Sequence, residues 1–230
     1  MFTAETILLT IFMFFIIVGA HELGHLYFAK RAGILVREYA IGFGPKLFSY
    51  KWGETRYTFR LLPLGGFVRM AGEDPEVIEG QSGQTIAVKV EGDRVTRLYL
   101  DQLDTRRNAL RGVVEELDLE HQLKLKLDVD GEVRTFAVHP EAMLVGRGTE
   151  IQIAPWNRQF GSKTVGQRMM AIFAGPMMNF VLAFLLFLVF MYMTGVTVDN
   201  PTYVELSQIA KGSPAEAAGL KEGDIVRTIN

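Results

Sequence analysis

The sequence predicts a polytopic membrane protein of the α+β class, with two transmembrane helices, a membrane-associated β-hairpin, a cytoplasmic β domain and a C-terminal segment of mixed structure. Two apolar runs, 6–29 and 169–193, are long enough to span a bilayer, since about 20 apolar residues suffice. Between them, alternating polar and apolar residues with Gly-Asp and Asp-Gly turns indicate hairpins. The 230 residues are 49% hydrophobic, which favours a chain with both membrane and water-exposed parts.

The first segment, 1–36, contains the first helix and an HELGH motif formed around His21, Glu22 and His25. Ionisable side chains are costly inside a spanning helix, and they usually face a protein interior or water, where they do chemistry. Helix positions i and i+4 share one face, so the two imidazoles can bind one zinc ion while the glutamate reaches a water on the metal. This spacing predicts zinc-dependent hydrolysis of a peptide bond. Core histidines paired with neighbouring helices are the alternative, and they leave the metal-ligand spacing unexplained.

The second segment, 37–72, alternates polar and apolar side chains, is rich in aromatics and turns at 51–54. This pattern predicts a β-hairpin that lies back towards the bilayer, with its backbone paired or facing a cavity. One interpretation is an edge strand, placed between residues 57 and 61, to which an extended substrate adds as a further strand. An ordinary packed hairpin fits the pattern equally well. The glycines of the segment, Gly42, Gly44, Gly65 and Gly66, are each compatible with a close approach of the backbone to a ligand or with a sharp turn.

The third segment, 73–150, begins as an acidic linker and continues as a cytoplasmic β domain, indicated by alternation within 84–145. His121 and His139 lack metal-ligand spacing to each other, so we interpret them as solvated or packed side chains. The fourth segment, 151–168, carries a tryptophan among basic residues, as is typical of an interfacial anchor.

The fifth segment, 169–195, is the second transmembrane helix. Pro176 interrupts its hydrogen bonds, and Asn179 places an amide at membrane depth, where it needs a partner. Helix packing is the alternative to a functional role for this amide. The sixth segment, 196–230, turns polar and predicts a strand, a short helix and a second strand.

The charge distribution predicts the orientation of the chain. Residues 30–69 carry eight Lys and Arg against two Glu, so by the positive-inside rule the central region is cytoplasmic and both ends lie outside. The first apolar run lacks a basic leader and a small-residue cleavage site, which favours a retained anchor over a signal peptide. The absence of cysteine excludes disulfides, cysteine nucleophiles and thiolate ligands. The lipid bilayer is a predicted partner, and no nucleic-acid partner is predicted.

Several motifs together carry a family resemblance. HELGH, followed by RAGILVREYAIGFGPKLFS and LLPLGGFVRMAGEDPE, resembles the N-terminal region of bacterial site-2 proteases, the intramembrane zinc metalloproteases of the RseP/RasP type. FGSKTVGQRMMAIFAGPMMNFVLAFLL resembles the second span of that family, and SPAEAAGLKEGDIVRTIN resembles the beginning of a PDZ domain. The resemblance runs nearly end to end, and the β domain resembles the RasP-like branch in particular.

The resemblance implies a metal site and a substrate site. It makes His21 and His25 zinc ligands and Glu22 the catalytic acid/base. The third ligand of the family is an aspartate of an LDG motif on a later span, expected beyond Asn230, so we interpret the chain as a fragment that is inactive alone. The implied substrate-binding residues are Gly42, Phe43, Gly44 and Asn179.

Two other carboxylates, Glu38 and Glu54, could be proposed as the third ligand, but neither lies on the metal helix and both read as hairpin residues.

The implied function is cleavage of single-span membrane proteins already trimmed by another protease, such as anti-sigma factors and remnant signal peptides. The implied location is the cell membrane, with the active site near the cytoplasmic side and the PDZ portion outside. The alternative is a non-catalytic membrane protein that binds helices or peptide ends through its hairpin and PDZ portion. Glu22 favours the protease, because a binding protein has no use for the acid/base. Zinc transport would require polar residues on more than one span, and 169–193 offers little beyond Asn179.

Overall fold

The computed structural model describes residues 3–73, 81–103, 109–146, 148–195 and 204–226. The chain divides into two compact units, Met1–Ala183 and Phe184–Asn230. The first unit contains the β-rich part of the chain and the HELGH motif. The second contains the C-terminal end of the second long helix and a small strand pair.

Two helices are long and apolar enough to cross a membrane, which confirms the two apolar helices that the sequence predicts. They are α1, Ala4–Arg31, and α2, Val165–Thr194, with mean hydropathies of 2.1 and 2.3 over their apolar windows. The hydroxyl of Thr3 caps α1 by accepting a first-turn amide hydrogen bond. α2 begins before residue 169 because Thr164 and Gln167 bond each other's backbone amides, as in a capping box.

Two long strands follow α1 and pair with each other. They are β1, Val36–Trp52, and β2, Thr55–Met70, and Gly53 lies between them with φ of +61°. β1 contains two further glycines in the left-handed region, Gly42 at φ +91° and Gly44 at φ +80°, where the register of the strand pair shifts. Because the strands bend, they pair along more than one stretch and form a small sheet.

Four segments of this sheet lie side by side, in the order 66–70, 36–41, 55–59 and 48–52. Tyr39 lies opposite Val68 on one side and Tyr57 on the other, and Tyr57 also lies opposite Tyr50. The predicted edge strand is therefore wrong for residues 57–59, which lie inside the sheet because the bend in β1 gives them a neighbour on both sides. The edges of the sheet are the segments 66–70 and 48–52.

The β domain is a closed sheet. Its strands are β3 (Thr85–Glu91), β4 (Arg94–Tyr99), β5 (Leu110–Asp118), β6 (Lys124–Val129), β7 (Glu132–Gly146) and β8 (Thr149–Gln152). The strand order is β4-β3-β5-β6-β7-β8, and a parallel pairing of β4 with β7 closes the first five strands into a barrel. Its core contains Ile86, Val88, Leu98, Leu125 and Leu127, each fully buried. This confirms the β-rich content that the alternation predicts.

Residues 153–162 connect the β domain to the hairpin sheet. The amide of Leu35 donates to the carbonyl oxygen of Arg158 at 2.9 Å, and the amide of Trp156 donates to a carbonyl of the β domain at 2.8 Å. The Arg158 guanidinium donates to both carboxylate oxygens of Glu54, at 2.5 and 2.7 Å, and these bonds hold the pKa of Glu54 below its usual 4.5. The hairpin sheet is thereby joined to the segment that leads into α2.

Beyond the end of α2, the described residues of the C-terminal unit form a strand, a short helix and a second strand. β9, Val204–Glu205, pairs antiparallel with β10, Ile225–Val226. Between them, α3, Pro214–Ala217, is capped by the Ser213 hydroxyl and followed by Gly219 at φ +81°. The PDZ assignment of this segment stays a prediction.

Candidate metal centre

The polar side chains of the HELGH motif lie in the C-terminal half of α1. His21 and His25 are one turn apart, with ring centroids separated by 4.9 Å and ring planes inclined by 72°. Glu22 is buried, with only 8% of its surface exposed. A carboxylate held in this apolar helix is costly unless it is paired or used, so its burial marks the motif as a functional site.

Gly175 of α2 leaves room for an atom between the two imidazoles. A Cβ built on Gly175 would lie 2.6 Å from Nε2 of His21 and still closer to Nε2 of His25. The two Nε2 atoms therefore lie near each other beside the glycine. Two imidazole nitrogens on one helix face, one turn apart and close to each other, are the arrangement by which two histidines bind one zinc ion.

The outer nitrogen of each ring is hydrogen-bonded to α2. Nδ1 of His25 lies 2.7 Å from the carbonyl oxygen of Ala171. A carbonyl only accepts, so this Nδ1 carries the proton and Nε2 keeps a free electron pair for a metal. Nδ1 of His21 lies 3.2 Å from Nδ2 of Asn179. The two contacts orient both rings from the same helix.

Small residues allow α2 to lie this close to α1. A Cβ on Gly24 would overlap the Ala174 carbonyl oxygen and lie 2.8 Å from Cγ of Met178. Ala171, Ala174 and Gly175 are the buried residues of α2. The backbones therefore approach along the face that carries the two histidines, as small residues permit in membrane helix pairs.

One edge of the hairpin sheet meets the site at Gly66. A Cβ on Gly66 would lie 2.7 Å from Cγ of Glu22 and 2.7 Å from the Ala40 carbonyl oxygen. The phenol of Tyr39 donates to the Gly19 carbonyl oxygen at 3.1 Å, and burial raises its pKa to about 12, so it stays a donor. The segment 66–70 is thus the sheet edge that lies beside the buried carboxylate.

The predicted substrate-binding residues of the hairpin lie at the bend of β1. A Cβ on Gly42 would lie 2.8 Å from the Leu62 carbonyl oxygen, and one on Gly65 would lie 2.5 Å from the Phe43 ring. The Arg60 guanidinium donates to the Gly44 carbonyl oxygen at 3.0 Å. Close backbone packing therefore requires glycine at position 42, and the positive φ of +80° favours glycine at position 44. A role of Gly42, Phe43 and Gly44 in substrate binding stays a prediction.

The carboxylates considered as a third ligand have other partners. Glu38 accepts from Arg60 at 3.1 Å, and Glu54 is bonded to Arg158. Within the residues that the structure describes, no group of three or more His, Cys, Asp or Glu side chains could hold a metal ion. The described chain therefore supplies two candidate ligands, His21 and His25.

Sequence reasoning identified the motif and missed the residues that complete it. The sequence gives no signal for the roles of Ala171, Gly175 and Gly66, although Gly175 directly precedes the proline of α2. Asn179 was marked as an amide in need of a partner, and the structure supplies His21 as that partner. Alternation and spacing within one segment could not identify contacts made between segments.

Comparison with known proteins places these features in a family. Residues 9–223 match the family described as peptidase family M50. The chain is 48% identical to the zinc metalloprotease RasP of Bacillus licheniformis and 47% identical to the regulator of sigma-W protease RasP of Bacillus subtilis, in each case over 98% of the chain and 54% of the relative. It is 50% identical to the zinc metalloprotease RasP of Geobacillus kaustophilus, over 99% of the chain and 54% of the relative. The chain spans about half the length of the curated relatives it matches.

Proposed function

The chain belongs to peptidase family M50, and from this premise we propose that it is the part of a zinc-dependent intramembrane endopeptidase that carries the catalytic motif. The observation that supports this most directly is the convergence of both histidine Nε2 atoms beside Gly175, with Glu22 buried next to them. Two relatives that are 48% and 50% identical to the chain are named zinc metalloproteases, which supports the same metal here.

The residues of the site have separate roles in this proposal. His21 and His25 would hold Zn²⁺, and the family resemblance implies an aspartate as the third ligand. Zinc, when bound, polarises the scissile carbonyl and makes water more acidic. Glu22 accepts the proton of the attacking water and donates it to the nitrogen of the leaving amine.

The substrate is a single-span membrane protein, held as an extended strand. The proposed docking edge is the segment 66–70, because Gly66 touches Glu22 and the described residues include no strand on the other side of this edge. A strand added there forms main-chain hydrogen bonds beside the catalytic carboxylate. An extended substrate also exposes the peptide bond, which a helix would keep hydrogen-bonded.

The site lies near the cytoplasmic surface of the cell membrane in this proposal. The histidines occupy the end of α1 that finishes in Lys30 and Arg31, and basic residues favour the cytoplasmic side. The C-terminal segment 196–230 is then outside, as the start of a PDZ domain that selects substrates already trimmed by another protease, such as anti-sigma factors. The relative named as a regulator of sigma-W protease supports this class of substrate.

Removing the metal tests the proposed function. The full-length protein that contains this chain, purified in detergent, is expected to hold stoichiometric zinc and to cleave a trimmed single-span substrate. A chelator should abolish cleavage, and added zinc should restore it, because the two imidazoles need the metal to act on water. Binding of the substrate without cleavage by the zinc-loaded protein would instead support the non-catalytic alternative.

Proline substitution tests the docking edge. Backbone amides of neighbouring residues in a strand point to opposite sides of the strand. Of the two variants Phe67→Pro and Val68→Pro, one therefore removes an amide that points away from the sheet. The other removes an amide that is hydrogen-bonded to β1 within the sheet. The outward substitution should impair cleavage by about tenfold or more while zinc content stays stoichiometric, since about 1.4 kcal/mol of lost binding is tenfold. The ladder substitution should lower the thermal stability instead.

The opposite edge provides the control for this test. Phe48→Pro and Ser49→Pro change the segment 48–52 in the same way and should leave cleavage near the native rate. Native cleavage by both variants of the 66–70 edge would show that the substrate docks elsewhere.

A further inference from the structure

We propose that Asn179 is a positioning residue for the metal site: its side-chain oxygen accepts a hydrogen bond from Nδ1–H of His21 and so presents Nε2 of that ring to the metal. This inference rests on the proposed function, since it concerns a zinc ligand. It assigns the amide a role other than the substrate binding predicted from the sequence.

Three positions of α2, spaced four residues apart, meet the two histidines. The Ala171 carbonyl oxygen contacts Nδ1 of His25, Gly175 leaves the space between the Nε2 atoms, and Asn179 contacts Nδ1 of His21. Residues at this spacing lie on one face of a helix. One face of α2 therefore contacts both outer nitrogens and borders the space between the inner ones.

The contact at His25 shows which ring nitrogen carries the proton in a histidine of this site. Its Nδ1 faces a carbonyl, so the proton is on Nδ1 and the electron pair is on Nε2. A ring that binds the same metal through Nε2 must also carry its proton on Nδ1. His21 therefore needs an acceptor at Nδ1, and Asn179 is the residue that occupies this position.

The amide of Asn179 has to face His21 with its oxygen. With Nδ2 towards the ring, as the atoms are placed, Oδ1 is buried and has no partner among the described residues. Oxygen and nitrogen of an amide are nearly equal in size, so the two can exchange without altering the packing. When the oxygen and nitrogen exchange places, the NH₂ group is the one without a described partner. Both orientations therefore have the same number of hydrogen bonds. A zinc-binding His21 carries a proton on Nδ1, and this proton requires an acceptor. The orientation with Oδ1 of Asn179 towards the ring is therefore the one that fits a bound metal.

The two substitutions that test this role differ only in what they offer to His21. Asn179→Asp keeps an acceptor and removes the donor, whereas Asn179→Leu keeps the approximate volume and removes both. Phe180→Leu is the matched control, since Phe180 is 78% exposed on the same helix and contacts neither histidine in the proposed arrangement. Each variant is made in the full-length protein, and its zinc dissociation constant is measured by competition with a chelator.

Asn179→Leu is expected to weaken zinc binding by about 10- to 100-fold, the usual effect of removing a partner of a metal-binding histidine. Asn179→Asp should bind zinc at least as tightly as the native protein, and Phe180→Leu should match it. Equal weakening by Asp and Leu would mean that the native amide donates to His21, which overturns the proposal. Native affinity in the Leu variant would reduce Asn179 to a packing residue and would overturn the proposal as well.

Nitrogen NMR of the unsubstituted, histidine-labelled protein tests the proposal even if the variants do not fold. The zinc-loaded protein should show His21 protonated at Nδ1 and bound to the metal through Nε2. The opposite arrangement would contradict the assignment. Failure of the native protein to bind zinc would overturn the proposed function itself, whereas native zinc binding with no effect of either Asn179 variant overturns only this inference.

Discussion

Glu22→Gln is expected to lower the rate of substrate cleavage by about 10²- to 10⁴-fold, the usual contribution of a general acid/base, while zinc stays stoichiometric. Glutamine has the same shape as glutamate, so it fits the buried position against Gly66. It cannot accept the proton of the attacking water. Both imidazoles stay as they are, and the metal therefore remains bound. The measurements are zinc content and the cleavage of a trimmed single-span substrate by the full-length protein.

The control for this variant is Glu5→Gln, which removes a carboxylate from the exposed first turn of the same helix. It should leave zinc content and cleavage at the native level. Loss of zinc in Glu22→Gln would make the carboxylate part of the metal site, and near-native cleavage with zinc bound would remove it from the chemistry.

The two helices and the catalytic motif could be predicted because their signals are local. An apolar run of sufficient length specifies a spanning helix without reference to the rest of the chain. The i, i+4 spacing of His21 and His25 likewise follows from the helix alone. The alternation of the β domain predicted strands for the same reason, since each strand needs only its own pattern.

The arrangement of the hairpin sheet could not be predicted, because it depends on where a strand bends. Alternation indicates two strands joined by a turn, and the structure has the two strands and the turn. Gly42 and Gly44 stand at the register shifts of β1, so the residues around Tyr57 acquire a neighbour on each side. A glycine pair in the sequence is compatible with a bend, a bulge or a close contact, and only the partner strand decides among them.

The contacts that α2 makes with the metal site could not be predicted either, because they join residues far apart in the sequence. His25 and Ala171 are separated by 146 positions, and His21 and Asn179 by 158. The composition of each helix shows a small residue or an amide without showing what approaches it. For Asn179 the sequence does predict a hydrogen-bond partner, because an amide at membrane depth is costly when unpaired. Gly175 carried no such signal, since its function is to leave space.

Gly175→Ala is expected to abolish zinc binding and, with it, cleavage. The added methyl group would lie 2.6 Å from Nε2 of His21 and nearer to Nε2 of His25, in the space where the two nitrogens converge. Alanine also favours a helix over glycine by about 0.8–1.0 kcal/mol, so the metal-free protein should not become less stable through its helix propensity. The methyl group also forces the two rings to shift in the metal-free protein, so the stability of that form has to be measured beside its zinc binding. Zinc stoichiometry, the cleavage rate and the melting temperature of the metal-free protein measure the two effects.

Gly166→Ala is the matched control, because it makes the same change on the same helix at a position where a Cβ meets nothing within 4 Å. It should keep native zinc content and native cleavage. If Gly175→Ala also binds stoichiometric zinc and cleaves normally, the metal does not occupy the space beside Gly175, and the two imidazoles must turn to bind it elsewhere. Loss of zinc at position 175 alone would place the ion between the two helices, because Gly166→Ala adds the same methyl group to α2 without entering that space.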